Sequence, residues 1–249
     1  MIKQISALSL VLIASILSSC KERPLDAQQI IDNAIKAYGG SKLYRSDIEF
    51  DFRDKHYRTY NNDGKISYER MFEDDSLGSI HDVLNNNVFT RTVSGKKVNL
   101  DEDWTGRYTS SVNGVIYFFR IPFHLNDPAV NKKLIEPGTV RGKEYYKVYV
   151  SFEEEGGGKD FDDDFIYWIN KETFVIDYFA YSYSTDGGGK RFREMINPRE
   201  IDGLKVVDYI NYKPKDLEVP LEVFDQYFEE EGFEELSRIE NRNITVDYL

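Results

Sequence analysis

The stretch from Phe165 to Lys213 constrains the fold more than any other part of the sequence. It holds four runs rich in aromatic and β-branched residues, and short turn-forming segments separate these runs. The separators are residues 170–173, 185–190 and 200–203, which are long enough to reverse the chain but too short for a crossover between parallel strands. The pattern therefore predicts four antiparallel strands arranged as a meander.

The second of these runs, Phe174–Ser184, is apolar or aromatic on both alternations, whereas a half-solvated strand alternates apolar with polar residues. One alternation holds Phe174, Ile176, Tyr178 and Ala180, and the other holds Val175, Phe179, Tyr181 and Tyr183, together with Asp177. One face of the sheet must therefore be covered by another part of the protein, and the second face is aromatic. Pairing Asn170 with Thr173 across the turn places Tyr167 and Tyr178 on the same face.

Most of the remaining chain also has the pattern of strands joined by hairpin turns. Ile48–Tyr60 alternates clearly, and the turn Asn61-Asn62-Asp63-Gly64 favours a hairpin with the following run. Lys143–Phe152 and Leu236–Val246 are also predicted strands. No linker-like segment interrupts residues 26–249, so we expect a single domain. The predicted fold class is mainly β (α+β), with about ten strands in one strongly curved antiparallel sheet or half barrel.

Two longer helices are expected among these strands. A third, short and acidic helix is expected near Leu221–Glu231. Asp26 is a good N-cap for an N-terminal helix that ends at Gly39-Gly40. Thr109–Arg120 has apolar residues at helical spacing, is rich in aromatic residues, and is followed by Pro122. This second helix is either ordinary core packing or a mobile lid over an apolar cavity.

The N-terminal segment predicts export from the cytoplasm. Met1–Ser19 has a short charged start and then an apolar run, Ala7–Leu17, that is too short to span a bilayer as a helix. Leu17-Ser18-Ser19-Cys20 resembles a bacterial lipobox, which implies cleavage before Cys20 and acylation of that residue. The alternative is an ordinary signal peptide with a buried cysteine. Residues 1–19 are thus interpreted as a lipoprotein signal peptide and residues 20–25 as a tether.

The sequence gives no positive sign of catalysis or of nucleic-acid binding. The formal net charge is −12, and general nucleic-acid binding needs a basic surface. His56, His81 and His124 are scattered, and neither a zinc-protease motif nor a nucleophile elbow is present. We therefore predict no enzyme, no catalytic residue, no metal site and no cofactor.

Two glycine-rich loops are candidate binding sites by composition. Gly156-Gly157-Gly158-Lys159 and Gly187-Gly188-Gly189-Lys190 lack the spacing of a P-loop, so phosphate binding is not expected. The Asp160–Asp164 cluster has oxygen ligands for calcium but not the EF-hand spacing. In a meander the two loops fall at the same end of the sheet. There Lys190, Arg191 and Arg193 are expected to contribute to a charged rim.

Four segments resemble a family of predicted Gram-negative lipoproteins of the Bacteroidota type, which has no assigned reaction and is placed near the LolA/LolB-like lipoprotein-carrier fold. They are SVNGVIYFFRIPFHLNDPAV (Ser111–Val130), YWINKETFVIDY (Tyr167–Tyr178), DGGGKRFRE (Asp186–Glu194) and DYINYKP (Asp208–Pro214). The similarity covers roughly residues 27–247. In that fold a strongly curved sheet forms a half barrel, helices close its apolar mouth, and acyl chains or other lipids bind inside.

The resemblance implies a membrane-anchored envelope lipoprotein that binds a lipid or other hydrophobic small molecule without a covalent step. The residues expected to line the cavity are Tyr146, Tyr167, Ile169, Phe174, Ile176 and Tyr178, and those of the lid are Ile116, Tyr117 and Phe119. Lys21 after Cys20 resembles lipoproteins sent to an outer membrane. The alternatives are a structural lipoprotein that meets an envelope protein partner and, less favoured, an envelope enzyme acting on glycans or lipids.

Overall fold

Two antiparallel sheets of seven strands each make up most of the protein. The structure is a computed structural model, and it describes residues 23–155 and 161–249. The first sheet contains β1 (Arg45–Phe52), β2 (Lys55–Asn62), β3 (Lys65–Asp74), β4 (Gly78–Asn85), β5 (Val88–Val93), β6 (Lys96–Val98) and β14 (Asn241–Tyr248). Its strand order is β14-β1-β2-β3-β4-β5-β6.

The second sheet has the order β13-β12-β11-β10-β9-β8-β7. Its strands are β7 (Val130–Val140), β8 (Lys143–Phe152), β9 (Asp164–Asn170), β10 (Ile176–Tyr183), β11 (Gly189–Ile201), β12 (Leu204–Pro214) and β13 (Phe233–Ile239). The predicted four-strand meander is β9 to β12, and each strand pairs antiparallel with the next. The mainly β fold class is therefore confirmed, with more strands than the expected ten and with two sheets in place of one.

Three α-helices accompany the sheets in the described residues: α1 (Ala27–Ala37), α2 (Glu102–Phe119) and α3 (Phe224–Glu229). Short 3-10 helices occupy Gly40–Tyr44, Phe123–Asn126, Thr185–Gly187 and Leu221–Val223. In the described ranges, no helix combines the length and apolar character needed to cross a bilayer.

The predicted cap of α1 is confirmed. The backbone N–H of Gln29 donates to Asp26 Oδ1 at 2.8 Å, and the Asp26 N–H donates back to Gln29 Oε1 at 3.1 Å. This reciprocal pair is a capping box, which satisfies donors that would otherwise be unpaired at the start of the helix. The apolar stripe Ile30, Ile31 and Ala34 is fully buried against the second sheet.

The two sheets exchange the chain near its C-terminus, where one final strand was expected over Leu236–Val246. That expectation is wrong, because the segment forms β13 in the second sheet and β14 in the first, with Glu240 between them. Asn241 is buried at this junction. Its backbone N–H donates to Asp208 Oδ1 and its side-chain amide donates to the Val207 carbonyl, both at 2.9 Å. The junction therefore joins the two sheets along one edge.

Each sheet has an inner face, which packs against α1 or α2, and an outer face. The outer face of the second sheet is covered by α3, through a cluster that includes Trp168, Phe192 and Phe224. The outer face of the first sheet bears ion pairs such as Arg58–Asp47 at 2.5 Å. The pattern expected for a half-solvated strand therefore holds in β1 but not in β9 and β10, which are covered on both sides.

A buried ionic row crosses the inner face of the first sheet. Asp82 on β4 is fully buried between Arg70 on β3 and Arg91 on β5, which are its cross-strand neighbours. Arg70 Nη2 lies 2.6 Å from Asp82 Oδ2, and Arg91 Nε lies 2.6 Å from Asp82 Oδ1. Two guanidinium groups therefore share one carboxylate, which is the only acidic partner that these arginines have in the described residues.

We expect Asp82→Asn to lower the free energy of unfolding by about 3–5 kcal/mol, because the substitution leaves two buried arginines without a counter-charge. Chemical denaturation measures this change. The matched control is Glu235→Gln, which breaks the exposed pair with Arg238 and should cost less than about 1 kcal/mol. Similar small losses in the two variants would show that the buried row does not stabilise the first sheet.

Candidate functional site

Helix α2 crosses the inner face of the first sheet and ends at the inner face of the second. It begins seven residues before the predicted Thr109, because Asp101 caps it: the Trp104 N–H donates to Asp101 Oδ1 at 2.8 Å. Glu102 and Asp103 lie in the first turn, where negative charge favours the helix dipole. The polar start of α2 explains why the apolar spacing alone placed the helix too late.

The middle of α2 is attached to the ionic row of the first sheet. Arg70 Nη1 donates to Ser111 Oγ at 2.6 Å, and the guanidinium of Arg91 stacks over the Tyr108 ring at 3.4 Å. On the same helix, Val112 and the predicted lid residue Ile116 are fully buried against aromatic residues of the first sheet. This part of α2 is therefore fixed to the first sheet by both polar and apolar contacts.

The last turn of α2 lies between the two sheets. Phe119 stacks on Phe50 of the first sheet with ring centroids 3.9 Å apart. Phe118 contacts Phe179 of the second sheet at 5.7 Å, and its carbonyl accepts a hydrogen bond of 2.6 Å from the Tyr209 hydroxyl. The predicted lid residue Tyr117 approaches Phe165 at 6.1 Å. The aromatic segment 117–119 thus fills the space that separates the sheets.

Five of the six residues predicted to line a cavity lie on or beside the inner face of the second sheet. Tyr167, Ile169 and Ile176 are fully buried there, in the same cluster as α1. Tyr146 and Phe174 lie at the edge of that cluster, with their rings 6.1 Å apart. The structure therefore brings these five residues together under the two helices.

The predicted face of Tyr178 is wrong. Tyr178 lies on the outer face, where it pairs with Trp168 and contacts Phe192, and Phe179 takes the inner position opposite Tyr167. The cause is a register shift between Ile176 and Tyr178, where a β-bulge breaks the strict alternation of the strand. The assumed pairing across the 170–173 turn therefore did not carry through to Tyr178.

Buried polar atoms without a hydrogen-bonding partner concentrate around the end of α2. Within the described ranges, those near α2 are Tyr117 Oη, Arg120 Nε, His124 Nε2, Tyr167 Oη, Arg193 Nε and Asn211 Oδ1, and Trp168 Nε1 is a further such atom on the outer face of the second sheet. Each such atom costs roughly 1–3 kcal/mol compared with a satisfied one, and an unfilled ligand position is one explanation for such atoms. The core around α2 is therefore apolar in composition but polar in part of its lining.

Burial shifts the pKa of the titratable groups near this turn towards their neutral forms. Burial raises the pKa of Tyr117 and of Tyr167, whose hydroxyl groups face each other without reaching hydrogen-bond geometry. Burial lowers the pKa of His124, which stacks on Tyr117 at 4.9 Å, and Asp127 opposes that shift. At neutral pH these three side chains are therefore uncharged.

Two arginines at this site were missed as site residues. Arg193 was expected in an exposed rim, but only 8% of its surface is exposed, and it packs between Phe118, Phe179 and Tyr181. Arg120 is 4% exposed and donates to the Tyr68 hydroxyl at 3.1 Å. The available signal was that Arg193 shares its alternation on β11 with Met195, which is also buried.

Two clefts of the described part of the chain stand out, and neither lies under α2. The larger, of about 720 Å³, lies beside the β7–β8 and β9–β10 turns and has charged walls that include Lys143, Lys171 and Asp177. The smaller, of about 390 Å³, lies between Arg141, Tyr212 and α3. The space between α2 and the second sheet is occupied by side chains of the protein itself.

The remaining site predictions concern Cys20, the first glycine-rich loop and metal binding. Cys20 and the glycine triplet at 156–158 lie outside the described residues. Within the described residues there is no group of three or more His, Cys, Asp or Glu side chains that could hold a metal ion.

The fold is similar to that of a LolA superfamily protein from Nitrosomonas europaea, with a TM-score of 0.54 and 13% identity over 91% of this chain and 96% of that chain. This likeness confirms the LolA-like fold expected from the sequence. A DUF1329 family protein from Desulfovibrio piger has a TM-score of 0.45 and 12% identity over 89% of this chain and 93% of that chain.

A candidate outer membrane lipoprotein-sorting protein domain from Vibrio parahaemolyticus has a TM-score of 0.46 and 7% identity, over 89% of this chain and 93% of that chain. A sequence search among curated proteins finds no significant match. A family profile matches residues 7–241, which is nearly the whole chain. The chain therefore belongs to DUF6503, a family of unknown function.

Proposed function

We propose that this protein is a lipid-anchored envelope protein that binds a lipid or another apolar ligand between α2 and the second sheet. The observation that carries the proposal is the last turn of α2, whose aromatic side chains hold the inner faces apart and leave buried polar atoms unpaired. Such a region is costly as a permanent core. It is consistent with a cover that a ligand displaces.

The binding step in this proposal is an exchange of one apolar surface for another. An acyl chain in place of Phe118 and its neighbours would bury apolar surface at about 25 cal/mol per Å², which offsets the contacts that the helix loses. The net gain then comes from the polar atoms that the ligand satisfies, and no covalent step is involved. This energetic balance makes binding reversible, as a carrier or sensor of lipids requires.

The contacts of α2 indicate how the site opens. The helix is tied to the first sheet by Ser111, Tyr108 and the fully buried Val112, whereas the second sheet holds it through aromatic contacts and the Tyr209 hydrogen bond. We therefore propose that α2 moves together with the first sheet. The junction at Asn241, where the chain passes from one sheet to the other, is the natural hinge.

The alternative is a structural lipoprotein with no ligand, whose surface meets an envelope partner. The filled space beneath α2 favours this alternative, because the two clefts described above lie elsewhere. The unpaired polar atoms favour ligand binding. The two functions differ in whether lipid accompanies the purified protein.

We expect the full-length protein, purified from its native membrane in a mild detergent, to carry lipid that native mass spectrometry detects as a dissociable adduct. Phe179→Trp should lower the bound fraction several-fold, because the larger ring narrows the space beside Phe118. The matched control is Phe192→Trp, since Phe192 is equally buried but lies on the outer face. Equal adducts in both variants, or none in the native protein, would favour the structural alternative.

The proposed anchor is Cys20, and the proposed location is the outer membrane. We expect the mature chain to begin at Cys20 and to have the added mass of acyl chains, each methylene of which contributes about 0.8 kcal/mol to membrane binding. Intact-mass measurement of the denatured protein tests this. Cys20→Ser should release the protein from the membrane fraction. A mature chain with an unmodified thiol would instead establish the ordinary signal peptide.

Removing the hydrogen bond between Tyr209 and Phe118 should loosen the end of α2. We expect Tyr209→Phe to cost about 1 kcal/mol locally and to speed amide exchange in the last turns of α2 roughly fivefold. Hydrogen–deuterium exchange measures this change. Tyr149→Phe is the control, because its hydroxyl bonds Asp164 at the outer face. Unchanged exchange in α2 would contradict an opening at the second sheet.

A further inference from the structure

Arg193 and Arg120 are buried guanidinium groups without a carboxylate. No acidic side chain in the described residues lies within 4.0 Å of either group. Arg193 Nη2 donates to the Tyr181 hydroxyl at 3.0 Å, and its Nε has no partner. Arg120 Nη1 donates to the Tyr68 hydroxyl, and its Nε is also unpaired.

The other buried basic side chains of the described chain have acidic partners. Arg70 and Arg91 share Asp82, and Lys147 pairs with Asp225 at 3.3 Å. A buried charge without such a partner is expensive, and contact with aromatic rings compensates for only a part of the cost. Arg193 and Arg120 are therefore exceptions that the fold itself does not explain.

Arg193 is placed where the space under α2 would open. On the inner face of the second sheet it lies between two cross-strand neighbours, Phe179 on β10 and Asn211 on β12. The Phe118 ring of α2 covers its guanidinium at 3.9 Å. Withdrawal of the last turn of α2 would expose this guanidinium, together with the unpaired Asn211 Oδ1, at the end of an aromatic surface.

The interior around α2 is positive although the protein is acidic. Four buried arginines lie beside α2 or at its end, namely Arg70, Arg91, Arg120 and Arg193. Asp82 is the acidic partner of two of them, and the carboxylates of Asp127 and Asp163 lie close enough to Tyr117 to act on it. The whole chain has a formal net charge of −12. An anion is therefore attracted to the inter-sheet space specifically and repelled by most of the exterior.

We propose that the ligand is a lipid with an anionic head group, a carboxylate or a phosphate, and that Arg193 binds that group. This inference rests on the proposed lipid-binding function and names the class of lipid. The guanidinium offers a planar set of donors, including the free Nε, that matches an oxyanion in a bidentate geometry. The apolar chain then lies along Phe179 and Tyr167, and Arg120 adds positive potential from the opposite side of α2.

Lipids that differ only in head-group charge test the inference. We expect the full-length protein to bind radiolabelled palmitate about tenfold more tightly than hexadecanol at neutral pH, because only palmitate forms a charge-assisted hydrogen bond. A second pair of probes is vesicles of phosphatidylglycerol and vesicles of phosphatidylcholine, from which lipid transfer to the protein is measured. Preference for the anionic member in either pair supports the inference and identifies the oxyanion as carboxylate or phosphodiester.

Arg193→Gln should abolish that preference, so that palmitate and hexadecanol bind with similar affinity. Arg193→Lys should retain a reduced preference, whereas a purely structural arginine would show no such rescue of selectivity. Arg238→Gln is the matched control, because it removes the same charge from an exposed pair. Circular dichroism verifies that each variant is folded, which we expect because no carboxylate depends on Arg193.

The outcomes separate the two proposals. Equal binding of charged and neutral lipids, or an unchanged preference in Arg193→Gln, overturns the anionic head group and leaves lipid binding in place. Failure of all four lipids to bind overturns the proposed function and this inference with it.

Discussion

The packing of the last turn of α2 between the two sheets is the interaction on which the rest of the structure depends. Phe119 completes the aromatic cluster of the first sheet, while Phe118 lies on Phe179 and Arg193 of the second. The sheets themselves are joined along one edge, at the β13–β14 junction. Without this turn, much of both inner faces would meet water, so the helix supplies the apolar contact that two diverging sheets cannot make directly.

The two halves of α2 are held by different kinds of interaction. In the proposed function, this difference determines which sheet the helix leaves. Contact with the first sheet includes a charge-assisted hydrogen bond from Arg70 to Ser111 Oγ and the stacking of the Arg91 guanidinium on Tyr108. Contact with the second sheet is mostly aromatic, and a ligand of similar character can replace it at little net cost. The proposed lid movement therefore needs no flexible hinge within α2, because the weaker interface is the one with the second sheet.

The sequence predicted the elements whose pattern is local and missed those that depend on distant partners. The four-strand meander and the Asp26 cap follow from turn residues and a capping signal within a few positions of one another. The face of Tyr178 depends on a bulge that no residue type in the sequence indicates. The first turns of α2 are polar, so the apolar spacing did not reveal where the helix begins. Arg193 was assigned to the surface because charges usually are, and only the tertiary contacts of β11 contradict that rule.

The bulge in β10 also separates the structural face of the second sheet from the face assigned to the ligand. By turning Tyr178 outward it adds to the cluster under α3, where buried charges such as Lys147 are paired, although Trp168 Nε1 is not. By turning Phe179 inward it places an aromatic ring directly beside Arg193, on a face where Tyr167 and Asn211 also have unpaired atoms. A sheet selected for stability alone would pair such groups or replace them with apolar ones. Their concentration on the face covered by α2 is what a site that exchanges its cover for a charged amphiphile requires.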